Sequence, residues 1–186
     1  RNLWDQLREL SFQKSMRLII SSRKNIDEVI FLEESASSEF WNVFLQPPEM
    51  IGSFTNEDAE DIFQAANGVN FDQSAKNEIK NWSANYPPFF LSLLNHIFDT
   101  NKTNIDASTV NEAAKPTEEE LKPFLASIWN NFSTPLKETY FEILHSNKAA
   151  SNNKDHTYFL ERSGFIYASK NKYSSNCRFL ENHTQT

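Results

Sequence analysis

The sequence predicts a mainly α chain with a small β component, laid out in three successive parts. Three observations carry this. Apolar residues recur at helical spacing through much of the stretch from Thr55 to Leu160. Thr, Asp and Pro at the heads of these runs cut them into separate helices. Strand-like sequence is confined to a continuous apolar run at residues 16–22 and a short segment near 165–179. The parts are expected at 1–54, 55–115 and 116–186.

In the first part, Leu3, Trp4, Leu7 and Leu10 predict an amphipathic helix from residue 2 to about 12. Residues 16–22 follow as a strand. A continuous apolar run means burial on both faces, as in a parallel sheet. This strand ends in Ser21, Ser22 and Arg23, so it would deliver polar groups to a site. Residues 24–54 lack a clean period and are broken by Pro47-Pro48.

In the second part, Thr55 and Asp58 form an N-cap pair. Ala59, Ile62, Phe63 and Ala66 make the inner face of that helix, and Gly68 is read as its stop. Asp72 caps the next helix, with Ala75, Ile79 and Trp82 inward. Pro87-Pro88 opens a third, because a proline at the first turn gives up an N–H that would be unpaired anyway. Phe89, Phe90, Leu91, Leu93, Leu94, Ile97 and Phe98 cover most of its circumference, which predicts a central helix.

In the third part, Thr117 and Glu120 read as a capping box that starts a helix. Leu121, Phe124, Leu125, Ile128, Trp129 and Phe132 form its stripe, with Pro123 off it. Thr134-Pro135 starts another helix, with Leu136, Tyr140, Ile143 and Leu144 inward. A short third helix carries Tyr158, Phe159 and Leu160 and ends at Gly164. Phe165 to Tyr167, a polar turn at 169–172, and Tyr173 to Phe179 predict a β-hairpin. Three helices and then a hairpin is the order of a winged helix-turn-helix.

Composition bounds the function. Among 186 residues there are 16 Phe and 4 Trp, enough for a packed core. The net charge is −7, which argues against a general nucleic-acid coat. The charge is uneven. Residues 1–132 carry 11 Lys/Arg against 20 Asp/Glu, and residues 133–186 carry 7 against 5. A single cysteine, Cys177, excludes an internal disulfide and a multi-cysteine metal site, and is read as a small half-buried residue. With no secretory signal and no apolar run of membrane length, the expected setting is reducing and cytoplasmic, and no membrane is expected as a partner. His96, His145, His156 and His183 show no metal-ligand spacing. Three glycines cannot build a Gly-rich phosphate loop.

The order of parts resembles the C-terminal half of a P-loop ATPase of the AAA+/STAND group. Ile20-Ser21-Ser22-Arg23 looks like the end of that group's sensor-1 strand. Ser38-Glu39-Phe40-Trp41-Asn42-Val43-Phe44 is similar to a Ser-x-Phe-aromatic-Asn segment that follows in prokaryotic members. Tyr86-Pro87-Pro88-Phe89-Phe90-Leu91 looks like the lid segment Gly-Gly-x-Pro-aromatic-Leu, with Pro88 as the matching proline and Asn85 and Tyr86 in place of the glycines. There is no G-x-x-x-x-G-K-S/T loop, and no strand ending in Asp-Asp or Asp-Glu upstream of the first helix.

The resemblance therefore implies the remnant of an α/β ATPase core at 1–54, a helical lid at 55–115 and a winged helix at 116–186, all part of a longer ATPase. The start at Arg1, inside a helical pattern, fits that expectation. By the same resemblance Arg23 would sense the γ-phosphate, Ser21 or Ser22 would orient the attacking water, and Pro88 would lie near the adenine ring. Read from the sequence alone, Arg23 is better taken as a surface ion pair with Asp27 or Glu28. The implied cofactor is ATP or ADP with Mg²⁺, held mainly by segments not in this chain. The implied partners are other domains of the same polypeptide and, on ATP binding, further copies. This chain by itself is expected to hydrolyse nothing. The alternative is a DNA-binding winged helix on an initiator-like or transposition-related ATPase. Lys154, Arg162, Lys170, Lys172 and Arg178 would serve it, against Asp155 and Glu161.

Overall fold

The computed structural model describes residues 3–12, 52–146, 154–169 and 172–185. The chain divides into two compact units, Arg1–Met50 and Ile51–Thr186. In the first unit, helix α1 spans Leu3–Ser11, where the apolar spacing places it. The guanidinium of Arg8 lies 5.8 Å from the centroid of the Phe12 ring. The strand expected at residues 16–22 and the segment around Phe40-Trp41 lie outside the described residues.

The second unit is mainly helical with two small sheets. Helix α2 (Asn56–Ala65) starts with a full capping box. Thr55 Oγ1 accepts from the Asp58 amide at 3.1 Å, and Asp58 Oδ2 accepts from the Thr55 amide at 2.8 Å. The helix stops at Ala65, before Gly68. That glycine, at φ +82°, turns the chain one step later into strand β1 (Asn70–Phe71). Asp72 then caps helix α3 (Gln73–Ser83) by accepting from the Ala75 amide at 2.7 Å.

Helix α4 (Pro87–Asp99) opens with both prolines in its first turn, as expected. Strand β2 (Asn104–Ile105) follows and pairs in parallel with β1, Asn70 opposite Asn104 and Phe71 opposite Ile105. The Asp106 carboxylate caps helix α5 (Ala107–Asn131) through the Thr109 amide at 2.8 Å.

Helix α5 corrects one expectation. Its 25 residues run through Pro116 and Pro123, so no helix starts at Thr117. Thr117 is buried and donates its hydroxyl to the Ala113 carbonyl at 2.7 Å instead of capping. Helix α6 (Thr134–Ser146) and helix α7 (Lys154–Arg162) follow, and Gly164 at φ +79° ends the latter. Strands β3 (Ile166–Ser169) and β4 (Lys172–Ser175) form the antiparallel hairpin. The hairpin ends at Ser175. Phe179 belongs to a further helix, α8 (Arg178–Gln185), because it packs between α3 and α4 instead of extending a sheet.

The core is one continuous apolar cluster. Phe89, Phe90, Leu93, Leu94 and Ile97 of α4 meet Ala75 and Ile79 of α3 and Val110, Ala114, Leu121 and Leu125 of α5. It extends through Phe132, Tyr140 and Ile143 to Leu160, Phe165, Phe179 and Leu180. Each such side chain contributes about 1.5–3 kcal/mol when fully buried. Two α4 residues expected inside are exposed, Leu91 at 45% and Phe98 at 39%. With Pro88 and Asn95 they form the outward stripe of a helix packed on its other sides by α3 and α5.

Candidate functional site

Among the described residues, the expected site is represented by Pro88 and the turn before it. Ser21, Ser22 and Arg23 lie outside the described residues. Pro88 is exposed in the first turn of α4. The preceding turn, Ala84 to Tyr86, is held from three sides. Ala84 and Asn85 both take the left-handed conformation at φ 54°. Asn tolerates that region better than most residues do. The Asn85 carbonyl accepts from the Phe54 amide at 2.9 Å. The Tyr86 ring lies 5.0 Å from Phe89 and 5.5 Å from Phe165, just ahead of β3.

The donors of this turn are already spent. The Asn85 amide donates to Ser83 Oγ at 3.1 Å, and the Tyr86 amide donates to the Ser83 carbonyl at 2.8 Å. Pro87 and Pro88 have no N–H. The Phe90 amide already closes the first helical bond to Tyr86. Only the Phe89 amide remains at the helix head, above a fully buried side chain. A phosphate needs several convergent donors, so it does not fit here.

A shallow groove of about 630 Å³ opens between α3, the hairpin and α8. Asn77, Lys80 and Asn81 line one side, and Tyr167, Asn176 and Glu181 the other. Its cations are committed. The Arg178 guanidinium pairs with the Glu78 carboxylate and lies 5.5 Å from the Trp82 ring centroid. Lys80 Nζ donates to Asn56 Oδ1 at 3.1 Å. Periodicity and motifs carry no sign of this groove, since it depends on α8.

The reactive side chains are quiet. Cys177 is fully buried, not half-buried as expected, and burial pushes its thiol up to about 12. Tyr140 is fully buried with its hydroxyl 3.2 Å from Ser175 Oγ, and burial raises it too. Glu120, expected in a capping box, joins α5 to α4. It accepts from Ser92 Oγ at 3.1 Å and lies 2.7 Å from His96 Nε2. Among the described residues, no group of three or more His, Cys, Asp or Glu is placed to hold a metal ion. No helix among the described residues is long and apolar enough to cross a membrane.

The exposed face of α7 mixes signs, with Lys154 and Arg162 beside Asp155 and Glu161, around an exposed Tyr158. Against protein families, curated proteins and solved structures, the chain finds no match.

Proposed function

We propose that this chain is the regulatory part of a nucleotide-controlled, STAND-type ATPase. Residues 55–115 act as the lid and 116–186 as a winged helix. The observation that supports this most is the position of the Ala84–Pro88 turn. It carries the proline of the resembling lid segment, and its Tyr86 ring packs on Phe165 at the base of the hairpin. A base held against Pro88 would thus be read by lid and hairpin modules together. Phosphates and Mg²⁺ would be held by other segments, since the donors of this turn are spent. Arg23, with Ser22, would report the γ-phosphate. The outcome would be a nucleotide-biased change of packing that permits self-association, not fast turnover.

The test is nucleotide binding and sedimentation of the complete gene product. ATP-driven assembly is expected, weakened by Arg23→Ala. Absence of ATP and ADP binding ends this reading. Unchanged assembly in Arg23→Ala removes the sensor role alone. The mixed charge of the α7 face does not favour the duplex-binding alternative.

A further inference from the structure

The three residues ahead of α2 bridge two turns that lie far apart in sequence. Gly52 runs so close to α7 that a Cβ there would collide with the Arg162 carbonyl oxygen. Ser53 donates its hydroxyl to the Ser163 carbonyl at 3.1 Å. A Cβ added at Gly164 would collide with Ser53 Oγ and would itself lie 3.2 Å from the Ala84 carbonyl oxygen. Phe54 donates its amide to the Asn85 carbonyl and stands edge-on to Phe90, 5.6 Å between centroids. The Asn85 side-chain amide donates back to the Phe54 carbonyl at 3.5 Å. Consecutive residues of one strap thus bind the α7–β3 turn and the α3–α4 turn.

We propose that Gly52–Phe54 is a coupling strap, through which loosening of either turn loosens the other. Gly52 leaves no room for a Cβ against the α7 backbone, and Gly164, at φ +79°, leaves none against the Ser53 side chain. The α3–α4 turn is itself strained, with two non-glycine residues at positive φ. Such a turn opens readily once its bond to Phe54 is lost. Linkage makes the effect reciprocal, so a ligand that holds one turn also protects the other. This coupling needs no nucleotide.

Hydrogen exchange on the 186-residue chain tests it, read at residues 84–86 and 163–165 and at the interior of α3 and α5. Ser53→Ala removes one bond and leaves the backbone intact. Exchange at both turns is expected to rise about tenfold while the helix interiors stay protected. Gly164→Ala perturbs the α7–β3 turn and is expected to deprotect 84–86 as well. Gly68→Ala is the control, since Gly68 has nearly the same φ, +82°, and a Cβ there would meet nothing within 4 Å beyond its chain neighbours. Adding Ser53→Gly to Gly164→Ala relieves the collision but also removes the Ser53 hydroxyl, so protection is expected to recover only to the Ser53→Ala level. If Gly164→Ala does not fold, Ser53→Ala decides alone. A rise at one turn only, no rise at either, or a parallel rise in α3 and α5 overturns the coupling.

Discussion

The Phe179 ring lies 5.1 Å from the Trp82 ring, which joins the last helix of the chain to the end of α3. The same Phe179 stands 6.0 Å from Phe89 of α4. Trp82 also fixes its own position, donating its indole N–H to Asn111 Oδ1 of α5 at 2.8 Å. Helices α3, α4, α5 and α8 therefore share one apolar interior. The portions before and after residue 116 in the second unit are not two cores in contact but one core.

Removing Phe179 tests that shared interior. Phe179→Ala deletes a fully buried ring, and the neighbours on three helices cannot all collapse into the space. The expected loss is about 3–5 kcal/mol, read from urea unfolding. Fluorescence of the Trp residues and far-UV circular dichroism are expected to move together to the lower midpoint. A separate early transition for the C-terminal residues, with α3 to α5 unaffected, contradicts one core.

Continuity of α5 gives a second prediction. A cut between Lys115 and Pro116 leaves Ala113 and Ala114 in one piece and Leu121 and Leu125 in the other, although all four line the same interior. Neither 52–115 nor 116–186 is expected to unfold cooperatively alone, while 51–186 is. A sharp thermal transition in the isolated 116–186 piece sinks this. It would also show that the division expected at residue 116 is a physical one.

The caps were readable because they are local. Thr55 with Asp58, Asp72 and the Pro87-Pro88 start need only a few neighbouring residues to act, and each acts as its chemistry predicts. Thr117 misled for the same reason. A capping box and a mid-helix Thr bonded to the residue four back look alike until burial separates them. The β1–β2 pair was missed because two-residue strands carry no period. One signal for it did exist: Asn70-Phe71-Asp72 and Asn104-Ile105-Asp106 repeat an Asn-apolar-Asp pattern, each followed by a helix. Helix α8 was hidden because Phe179 and Leu180 are adjacent apolar residues, which fit a strand as well as a short helix. Of the turn at 84–88, the proline helix start was legible, while the left-handed Ala84 and Asn85 were not; the groove and the strap depend on tertiary contacts alone.

Acid should weaken the fold through its aspartate caps. Asp58, Asp72 and Asp106 are all held below the usual Asp value, chiefly by hydrogen bonds from Thr55, Ser74 and Thr109 respectively. Their folded pKa values thus lie below the unfolded value of about 3.9. The stability they contribute is complete above that value and is lost as pH falls through the folded values. The urea midpoint is expected to be flat from about pH 7 to 5 and to fall below about pH 4. Asn at all three positions keeps a capping oxygen and removes the titration, so the triple variant should show a shallower acid fall. An equally steep fall assigns acid sensitivity to other carboxylates.

Alkali should act through Cys177. Its Sγ lies 3.5 Å from the Trp82 carbonyl oxygen, fully buried, and burial holds the thiol neutral up to about 12. In the unfolded chain it ionises near about 8.5. The neutral thiol is the form the fold favours, so this contribution is complete below the unfolded value. It declines as pH rises from about 8.5 toward the folded value. Tyr140 is also raised by burial, but in the unfolded chain it starts to titrate only near pH 10, so the window between about 8.5 and 10 isolates the cysteine. Stability measured by urea at pH 7.5, 8.5 and 9.5 is expected to fall in the parent chain. In Cys177→Ala it should start lower, for lack of the sulfur, and stay level. Native iodoacetamide labelling is expected to be slow at pH 8.5 and to accelerate across the urea transition, because the thiolate forms only when α8 leaves α3. Rapid native labelling at that pH would mean that the α3–α8 seam opens without global unfolding.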